Sequence, residues 1–140
     1  FTMPERHPFN PLRALRMLAA LGPDLRTVRR AFDFVFVEGR APDTDEAIED
    51  FGRYLMVSGA ATELAGEQSA KDRLRQLTDE AIGRGVFGVP TFHVDGELFW
   101  GDDATGMLIA YLSDRTLFEQ DKMARLATLP VGVQRNISRS

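Results

Sequence analysis

Two adjacent carboxylates, Asp102 and Asp103, stand where the sequence predicts the start of its last helix. Backbone N–H groups at a helix start, together with the helix dipole, attract a carboxylate, while a free side-chain carboxylate attracts an ammonium group. An α-amino acid head carries both groups, so the pair is a candidate binding site for such a head. Acidic residues at a helix start are also common caps, with Asp102 in the N-cap position, and the residues alone favour that structural role.

A second candidate site precedes the strand that the sequence predicts from Pro90 onwards. Proline cannot donate to a β-ladder, so it is expected at a strand start. A cis Val89–Pro90 bond would turn the N–H and C=O of Val89 away from the sheet, where an extended, peptide-like ligand could pair with them. Because only about one X-Pro bond in twenty is cis in folded proteins, composition alone favours a trans proline and a buried Val89.

The two candidate sites flank a predicted β-hairpin. Two apolar runs, Val89–Val94 and Glu97–Trp100, flank Asp95-Gly96, a strong two-residue turn signal because both residues tolerate positive φ. The turn fixes the register and makes an aromatic pair across the strands. The opposed pairs are Val94 with Glu97, His93 with Leu98, Phe92 with Phe99, and Thr91 with Trp100.

Other residues near the hairpin have simpler structural explanations. Phe87 and Trp100 could line the pocket of an aromatic substrate, although core packing explains both. His93 lacks an acidic neighbour at suitable spacing, so a packed histidine is favoured over a general base. Ser113-Asp114 lacks the surroundings of a nucleophile elbow.

Composition limits the class of protein. The chain has 140 residues, is 44% hydrophobic and 27% charged, and therefore predicts a soluble globular domain with a core of its own. A net charge of −4 without a basic stripe argues against nucleic acid as a partner. With no membrane span or signal peptide in the sequence, the cytoplasm is the predicted location. There is no cysteine, and the two histidines lack ligand spacing, so no metal site is expected.

Helical periodicity dominates the first part of the chain. Asn10 is a favoured N-cap and Pro11 suits a first helical position, so a helix is expected from there to Gly22-Pro23. A second helix is predicted over Asp24–Glu38, and the two should pack together as a hairpin.

The later helices follow from the same signals. Asp43 with Glu46 resembles a capping pair for a third helix. Ser69 is the predicted cap of a helix over Lys71–Arg84. The sequence predicts that this helix buries Leu74, Leu77, Ala81 and Ile82, and that the helix after Asp102 packs through Met107, Leu108, Tyr111 and Leu112. A further helix near Leu117–Leu126 and an extended tail to Ser140 complete the prediction.

The run Gly85–Asp103 resembles the 2-hydroxychromene-2-carboxylate isomerases, which belong with the kappa-class glutathione transferases and DsbA-like proteins of the thioredoxin superfamily. Gly-Val-Phe-Gly-Val-Pro-Thr-Phe followed by Phe-Trp-Gly-X-Asp is much narrower than a generic cis-proline signal. The stretches from Arg6 to Leu15 and from Leu129 to Arg135 agree, so the resemblance covers nearly the whole chain.

The resemblance implies an α/β, mostly helical fold of thioredoxin type. Residues 1–84 would be its helical insertion domain, 85–114 the C-terminal half of the thioredoxin-like domain, and 115–140 a C-terminal helix and tail. In the family, a preceding β-α-β segment carries a serine that faces the glutathione thiol, or Cys-x-x-Cys in DsbA-like relatives. The family's serine would then lie upstream of Phe1. Because the chain begins without methionine, we expect a fragment or a processed product.

The resemblance also implies a glutathione site. Pro90 would be a cis-proline, and Val89 would hydrogen-bond the cysteinyl backbone of glutathione. Asp102 and Asp103 would hold the γ-glutamyl end, with Asp103 on its amino group.

Two residues would face the substrate in this family. Asn10, besides its role as an N-cap, and Trp100 are the implied substrate contacts. The chain departs from the family pattern beside Asp103: position 102 is often serine or asparagine in relatives, and Ala104 stands where they often have arginine. Both differences lie directly beside Asp103, where the resemblance implies the contact with the γ-glutamyl head of glutathione.

The implied activity is a glutathione-dependent isomerisation of 2-hydroxychromene-2-carboxylate, or of a similar aromatic-degradation intermediate, by reversible thiol addition and bond rotation. A kappa-like glutathione S-transferase is the neighbouring alternative, distinguished by net consumption of glutathione. A DsbA-like oxidoreductase is disfavoured because the chain has no cysteine, unless the family's preceding segment supplies a pair. A truncated, non-catalytic dimerising protein is the alternative from another class. The expected partners are a small aromatic substrate and a second copy in a homodimer.

Overall fold

A computed structural model of the chain describes residues 1–22, 24–119, 123 and 125. They form two compact units, Phe1–Arg84 and a second that begins at Gly85. The helices of the first unit are α1 Leu12–Leu21, α2 Leu25–Phe36, α3 Asp45–Tyr54, α4 Ala61–Gly66 and α5 Gln68–Gly83. The second unit contains β1 Thr91–Val94, β2 Glu97–Trp100, a 3₁₀ turn over Asp102–Ala104, α6 Thr105–Ser113 and a 3₁₀ turn over Leu117–Glu119. No helix in the described ranges combines the length and apolarity that crossing a bilayer requires.

The first helix ends where the sequence predicts, but it begins at Leu12 with Pro11 in the cap position, so the N-cap predicted at Asn10 and the first helical position predicted for Pro11 are each wrong by one residue. The Asn10 side-chain oxygen accepts a hydrogen bond from the Leu12 N–H at 3.0 Å, and Gly22 ends α1 with a φ of +65°. The side chain of Asp24 caps α2 by accepting from the Thr27 N–H at 2.8 Å. That bond lowers the pKa of Asp24 below its ordinary value.

The predicted hairpin of α1 and α2 is wrong. Instead, α1 packs mainly on α4 and α5, and α2 packs on α3. The buried residues of α4 and α5 are the alanines Ala61, Ala65 and Ala70. Small side chains at these positions allow the neighbouring helices to approach closely, since the distance between packed helices depends on the side chains at the contact.

Two of the predicted helix starts are displaced. Thr44, not Asp43, caps α3: its hydroxyl oxygen accepts from the Ala47 N–H at 3.2 Å. Asp43 instead forms an ion pair with Arg6 at 2.6 Å. The start of α5 at Gln68 precedes the predicted one, so Ser69 lies within the first turn and is not its cap.

The predicted apolar face of α5 is only partly buried. Ala70 is its fully buried residue. The predicted face is half-buried at Leu74, Leu77 and Ala81 and exposed at Ile82. The core of this unit lies elsewhere, around Phe34, Phe51, Met17 and Ile48.

A close approach between α3 and α4 defines one side of this core. The Phe34 and Phe51 rings lie 5.0 Å apart within it. At Gly52 on α3, an added Cβ would stand closer than 3.0 Å to the Ala61 side chain on α4. Gly52 is buried. The two helices can come this close because Gly52 has no side chain.

A carboxylate on α3 supplies the N-terminal cap of α4. Ala60, at the cap position, provides no side-chain acceptor. The Glu49 carboxylate accepts from the Ala61 N–H at 3.1 Å and from the Thr62 N–H at 2.8 Å. It also accepts from the Thr62 hydroxyl at 2.5 Å. The Thr62 hydroxyl and then these N–H groups lower the pKa of Glu49 below its ordinary value.

This cap makes stability depend on pH. Because the folded pKa of Glu49 lies below the ordinary 4.5, its contribution is present above that value and is lost as the pH falls through the folded pKa. We expect Glu49→Gln to lower the melting temperature near neutral pH, and the difference from wild type to shrink as the pH falls below about 4. Thermal unfolding followed by circular dichroism over a pH series measures both.

Glu38→Gln is the matched control, because the Glu38 carboxylate has no side-chain bond within the described residues. It should change the melting temperature little at any pH. A Glu49→Gln difference that stays constant across the series would contradict the capping role.

In the second unit, the predicted hairpin and its register are confirmed. The strands are antiparallel, and the opposed pairs run from Thr91 with Trp100 to Val94 with Glu97. The turn residues Asp95 and Gly96 both have positive φ, +51° and +93°. Arg115 pairs with Asp95 at 3.2 Å beyond the turn.

The hairpin packs on α6 mainly through Phe99, with Val94 packed against the same cluster. Phe99 is buried and its ring contacts Tyr111 and Phe118, with centroids at 5.5 and 6.0 Å. Within the predicted stripe of α6, Leu108 and Tyr111 are buried, whereas Met107 and Leu112 are about half exposed. Of the helix predicted near Leu117–Leu126, the structure describes the turn at Leu117–Glu119, and most of the remainder, like the predicted tail, lies outside the described residues.

Candidate functional site

The loop before β1 presents an unpaired piece of backbone. The Val89–Pro90 bond is cis, not the trans bond that composition alone favours. Val89 is 86% exposed, so the interpretation as a buried strand-entry residue is wrong. Neither its N–H nor its C=O forms a hydrogen bond with any described residue. Both groups can therefore pair with an extended ligand in the manner of an added strand.

Hydrogen bonds on each side of Val89 hold this loop. The Thr91 hydroxyl donates to the Gly88 C=O at 2.6 Å. The Gly101 N–H donates to the Pro90 C=O at 2.9 Å. The second bond joins the loop to the segment that enters α6, and so it places Pro90 directly beside the residue that precedes the two carboxylates.

The carboxylates lie in a 3₁₀ turn ahead of α6. The N-cap role predicted for Asp102 is wrong: Gly101 occupies the cap position with a φ of +87°, and no side chain caps the turn. Asp102 and Asp103 are both exposed, and neither side chain has a hydrogen bond or ion pair among the described residues. A Cβ added at Gly101 would stand 2.5 Å from Oδ1 of Asp103, so this carboxylate lies over the glycine.

This turn combines two kinds of charge recognition. The first N–H groups of a helical segment have no partner inside the helix, and they favour an anion. The unpaired Asp103 carboxylate favours a cation. The arrangement can therefore bind a zwitterionic α-amino acid head beside the exposed backbone of Val89.

Core packing is not the role of the two aromatic residues near this loop. Phe87 is 74% exposed and Trp100 is 51% exposed. Their ring centroids lie 5.3 Å apart, so they form a surface pair. His93 is exposed as well, rather than packed.

The predicted site residues fall into both units. Val89, Pro90, Trp100 and the two aspartates are brought together in the second unit. Asn10 lies in the first unit, where its side chain accepts a hydrogen bond from the N–H of Leu12, the first residue of α1.

Sequence reasoning missed the residues that shape the loop. Gly88 lies against the Trp100 indole, and Gly101 lies under the Asp103 carboxylate. Their signal in the sequence is the pair of glycines that precede Val89-Pro90 and Asp102-Asp103. The glycines alone do not say which side chain covers each of them.

Comparisons with known proteins found similar chains. The chain matches the DSBA-like thioredoxin domain family over residues 1–113. It is 35% identical over 66 residues to the 2-hydroxychromene-2-carboxylate isomerase of Sphingobium xenophagum, covering 47% of this chain and 32% of that protein. With the isomerase of the same name from Pseudomonas putida it shares 35% identity over 82 residues, 58% of this chain and 40% of that protein.

A solved structure gives the same result. The fold is similar to that of an HCCA isomerase, a 2-hydroxychromene-2-carboxylate isomerase, with a TM-score of 0.63 and 26% sequence identity, over 84% of this chain and 59% of that chain. This chain spans about a third to two fifths of the length of the curated relatives it matches. The predicted resemblance is confirmed, as is a mostly helical fold of thioredoxin type. Since the family match runs from Phe1 to Ser113, well over half of its length, the chain belongs to the DSBA-like thioredoxin domain family.

Proposed function

We propose that the chain is part of a glutathione-dependent isomerase that acts on 2-hydroxychromene-2-carboxylate or a similar intermediate of aromatic degradation. The observation that carries the proposal is the exposed residue Val89, whose backbone is unpaired among the described residues. The Pro90–Gly101 hydrogen bond joins it to two carboxylates that also have no partner among those residues. Similarity to proteins named 2-hydroxychromene-2-carboxylate isomerase supports the choice of substrate.

The residues present fit glutathione, which is a tripeptide with a free α-amino acid head. Its cysteinyl N–H and C=O complement the unpaired C=O and N–H of Val89. Its γ-glutamyl ammonium complements Asp103, and its γ-glutamyl α-carboxylate complements the N–H groups at the start of the Asp102–Ala104 turn. Each polar part of the ligand thus has an available partner of the opposite kind.

The part played by this chain is binding and orientation. Bound glutathione supplies a thiol that can add reversibly to an unsaturated carbon of the substrate, allow rotation about the former double bond, and leave again. Val89 would hold the central cysteinyl residue of the tripeptide and Asp103 its γ-glutamyl end, while Phe87 and Trp100 offer an aromatic surface to the substrate ring. Holding two reactants in one geometry replaces a bimolecular encounter by an effectively unimolecular step. From the first unit, Asn10 stays a prediction as a substrate contact.

A turnover experiment on the full native protein tests this proposal. When the protein is added to 2-hydroxychromene-2-carboxylate, the absorbance spectrum should change to that of trans-o-hydroxybenzylidenepyruvate only if glutathione is present. Thiol titration after many turnovers should recover all the glutathione. Consumption of one glutathione per product would identify a transferase instead, and conversion at the same rate without glutathione would exclude the proposed cofactor.

The proposal includes a cytoplasmic location and a homodimer. The cytosol maintains a reducing glutathione pool, which a glutathione-dependent enzyme requires. Sedimentation of the native protein at several concentrations tests the dimer, and a monomer at all of them would contradict it.

A further inference from the structure

The indole of Trp100 rests on a residue that has no side chain. A Cβ added at Gly88 would stand 2.5 Å from Nε1 of Trp100 and 3.2 Å from both Cδ1 and Cε2. The ring therefore covers the backbone of Gly88, with the Phe87 ring against it. Any larger residue at position 88 would displace the indole.

This contact lies immediately before Val89. Val89 itself has no hydrogen bond within the described residues, so neighbouring residues must define its position. On the C-terminal side, Pro90 is held by the Gly101 N–H. On the N-terminal side, Gly88 is held by the Thr91 hydroxyl and covered by the Trp100 ring.

We propose that Trp100 is a positioning residue, whose indole holds Gly88 and thereby fixes the backbone of Val89 in the orientation that pairs with a peptide-like ligand. The inference rests on the proposed function, because that ligand is glutathione. It gives a reason for a large aromatic side chain that stays 51% exposed: the buried part of the ring covers the loop, and the rest faces solvent.

A first experiment tests the contact without any ligand. Trp100→Leu removes the indole, and Gly88→Ala displaces it while leaving the tryptophan in place. In both variants the NMR order parameter of the Val89 amide should fall from about 0.85 to below about 0.6. Trp100 is the single tryptophan of the chain, so a shift of its fluorescence in Gly88→Ala reports the displaced ring.

Phe92→Leu is the matched control. Phe92 is 50% exposed and Trp100 is 51% exposed, so the two side chains are equally accessible. Phe92 belongs to the opposed pair next to that of Trp100, and its side chain therefore lies on the opposite face of the hairpin. This variant should leave the Val89 order parameter unchanged. Unchanged order parameters in Trp100→Leu and Gly88→Ala would overturn the inference, whatever their affinity for glutathione.

A second experiment measures glutathione binding by calorimetry. Each of Trp100→Leu and Gly88→Ala should raise the Kd about tenfold, which corresponds to about 1.4 kcal/mol. Both substitutions disturb the same contact between Gly88 and Trp100. The Kd of the double variant for glutathione should therefore be no higher than that of the single variant with the higher Kd. The melting temperatures should match that of Phe92→Leu, since a purely structural role would lower stability and leave the Kd alone. If wild-type protein binds no glutathione, the proposed function fails, and the order parameters still decide the role of Trp100.

Discussion

Glutathione binding is expected to weaken about 10- to 100-fold in Asp103→Asn, while the melting temperature stays close to that of wild type. The Asp103 carboxylate is exposed and has no partner among the described residues, so the fold loses little with its charge. A hydrogen bond to a charged group contributes about 1.5–3 kcal/mol, and the ligand ammonium would lose that bond. Asparagine keeps the size of the side chain over Gly101. Calorimetric titration and thermal unfolding measure the two effects separately.

Two controls sharpen this test. Glu119→Gln removes the same charge from an exposed position in the same unit and should leave glutathione binding unchanged. The dipeptide Cys-Gly lacks the γ-glutamyl head, so it should bind wild type and Asp103→Asn equally weakly. An equal loss of affinity for glutathione and Cys-Gly in Asp103→Asn would contradict the contact between Asp103 and the γ-glutamyl ammonium.

The other large effect is expected in the first unit, where Gly52→Ala should destabilise the protein by about 1–2 kcal/mol. The new Cβ would stand closer than 3.0 Å to the Ala61 side chain, and α3 and α4 would have to separate. Overpacking of this kind costs about 1–3 kcal/mol. It outweighs the gain of up to about 1 kcal/mol that alanine brings to a helix interior. The melting temperature should fall by about 5–10 °C.

Gly83→Ala provides the opposite case. Gly83 ends α5, and nothing lies within 4 Å of a Cβ added there. This substitution should leave the melting temperature unchanged or raise it. If Gly52→Ala also raised it, the close contact between α3 and α4 would be contradicted.

Features with a local cause were predictable from the sequence. The hairpin register follows from Asp95-Gly96 alone, because a two-residue turn with positive φ at both positions permits one pairing. The hydrogen bond from the Leu12 N–H to the Asn10 side chain is local in the same way, although the helix start predicted there is displaced by one residue. At α3, however, Asp43 and Thr44 are adjacent cap candidates, and the ion pair of Asp43 with the distant Arg6 separates them. A choice decided by a residue far along the chain cannot be made from local spacing.

The same distinction holds for the candidate site. The family pattern locates Val89-Pro90 and Asp102-Asp103, but not the contact between Gly88 and Trp100, which the hairpin creates across the two strands. The apolar face of α5 fails for a related reason. The leucines of α5 have helical spacing, but the core of the unit is formed by other side chains. Ala70 is the residue of α5 that is buried. Hydrophobic periodicity identifies the helix and its apolar side. Whether that side is buried depends on which other elements pack against it.

The cap that Glu49 provides has a consequence for the order of folding. Helix α4 has six residues, well below the length at which an isolated helix is stable in water. Its first N–H groups find their acceptor on α3, twelve and thirteen residues earlier in the chain. We therefore expect α4 to form after α3 is helical and close by, as a late and cooperative addition to a preformed framework. Substitutions within α4 should accordingly accelerate unfolding and leave the folding rate almost unchanged.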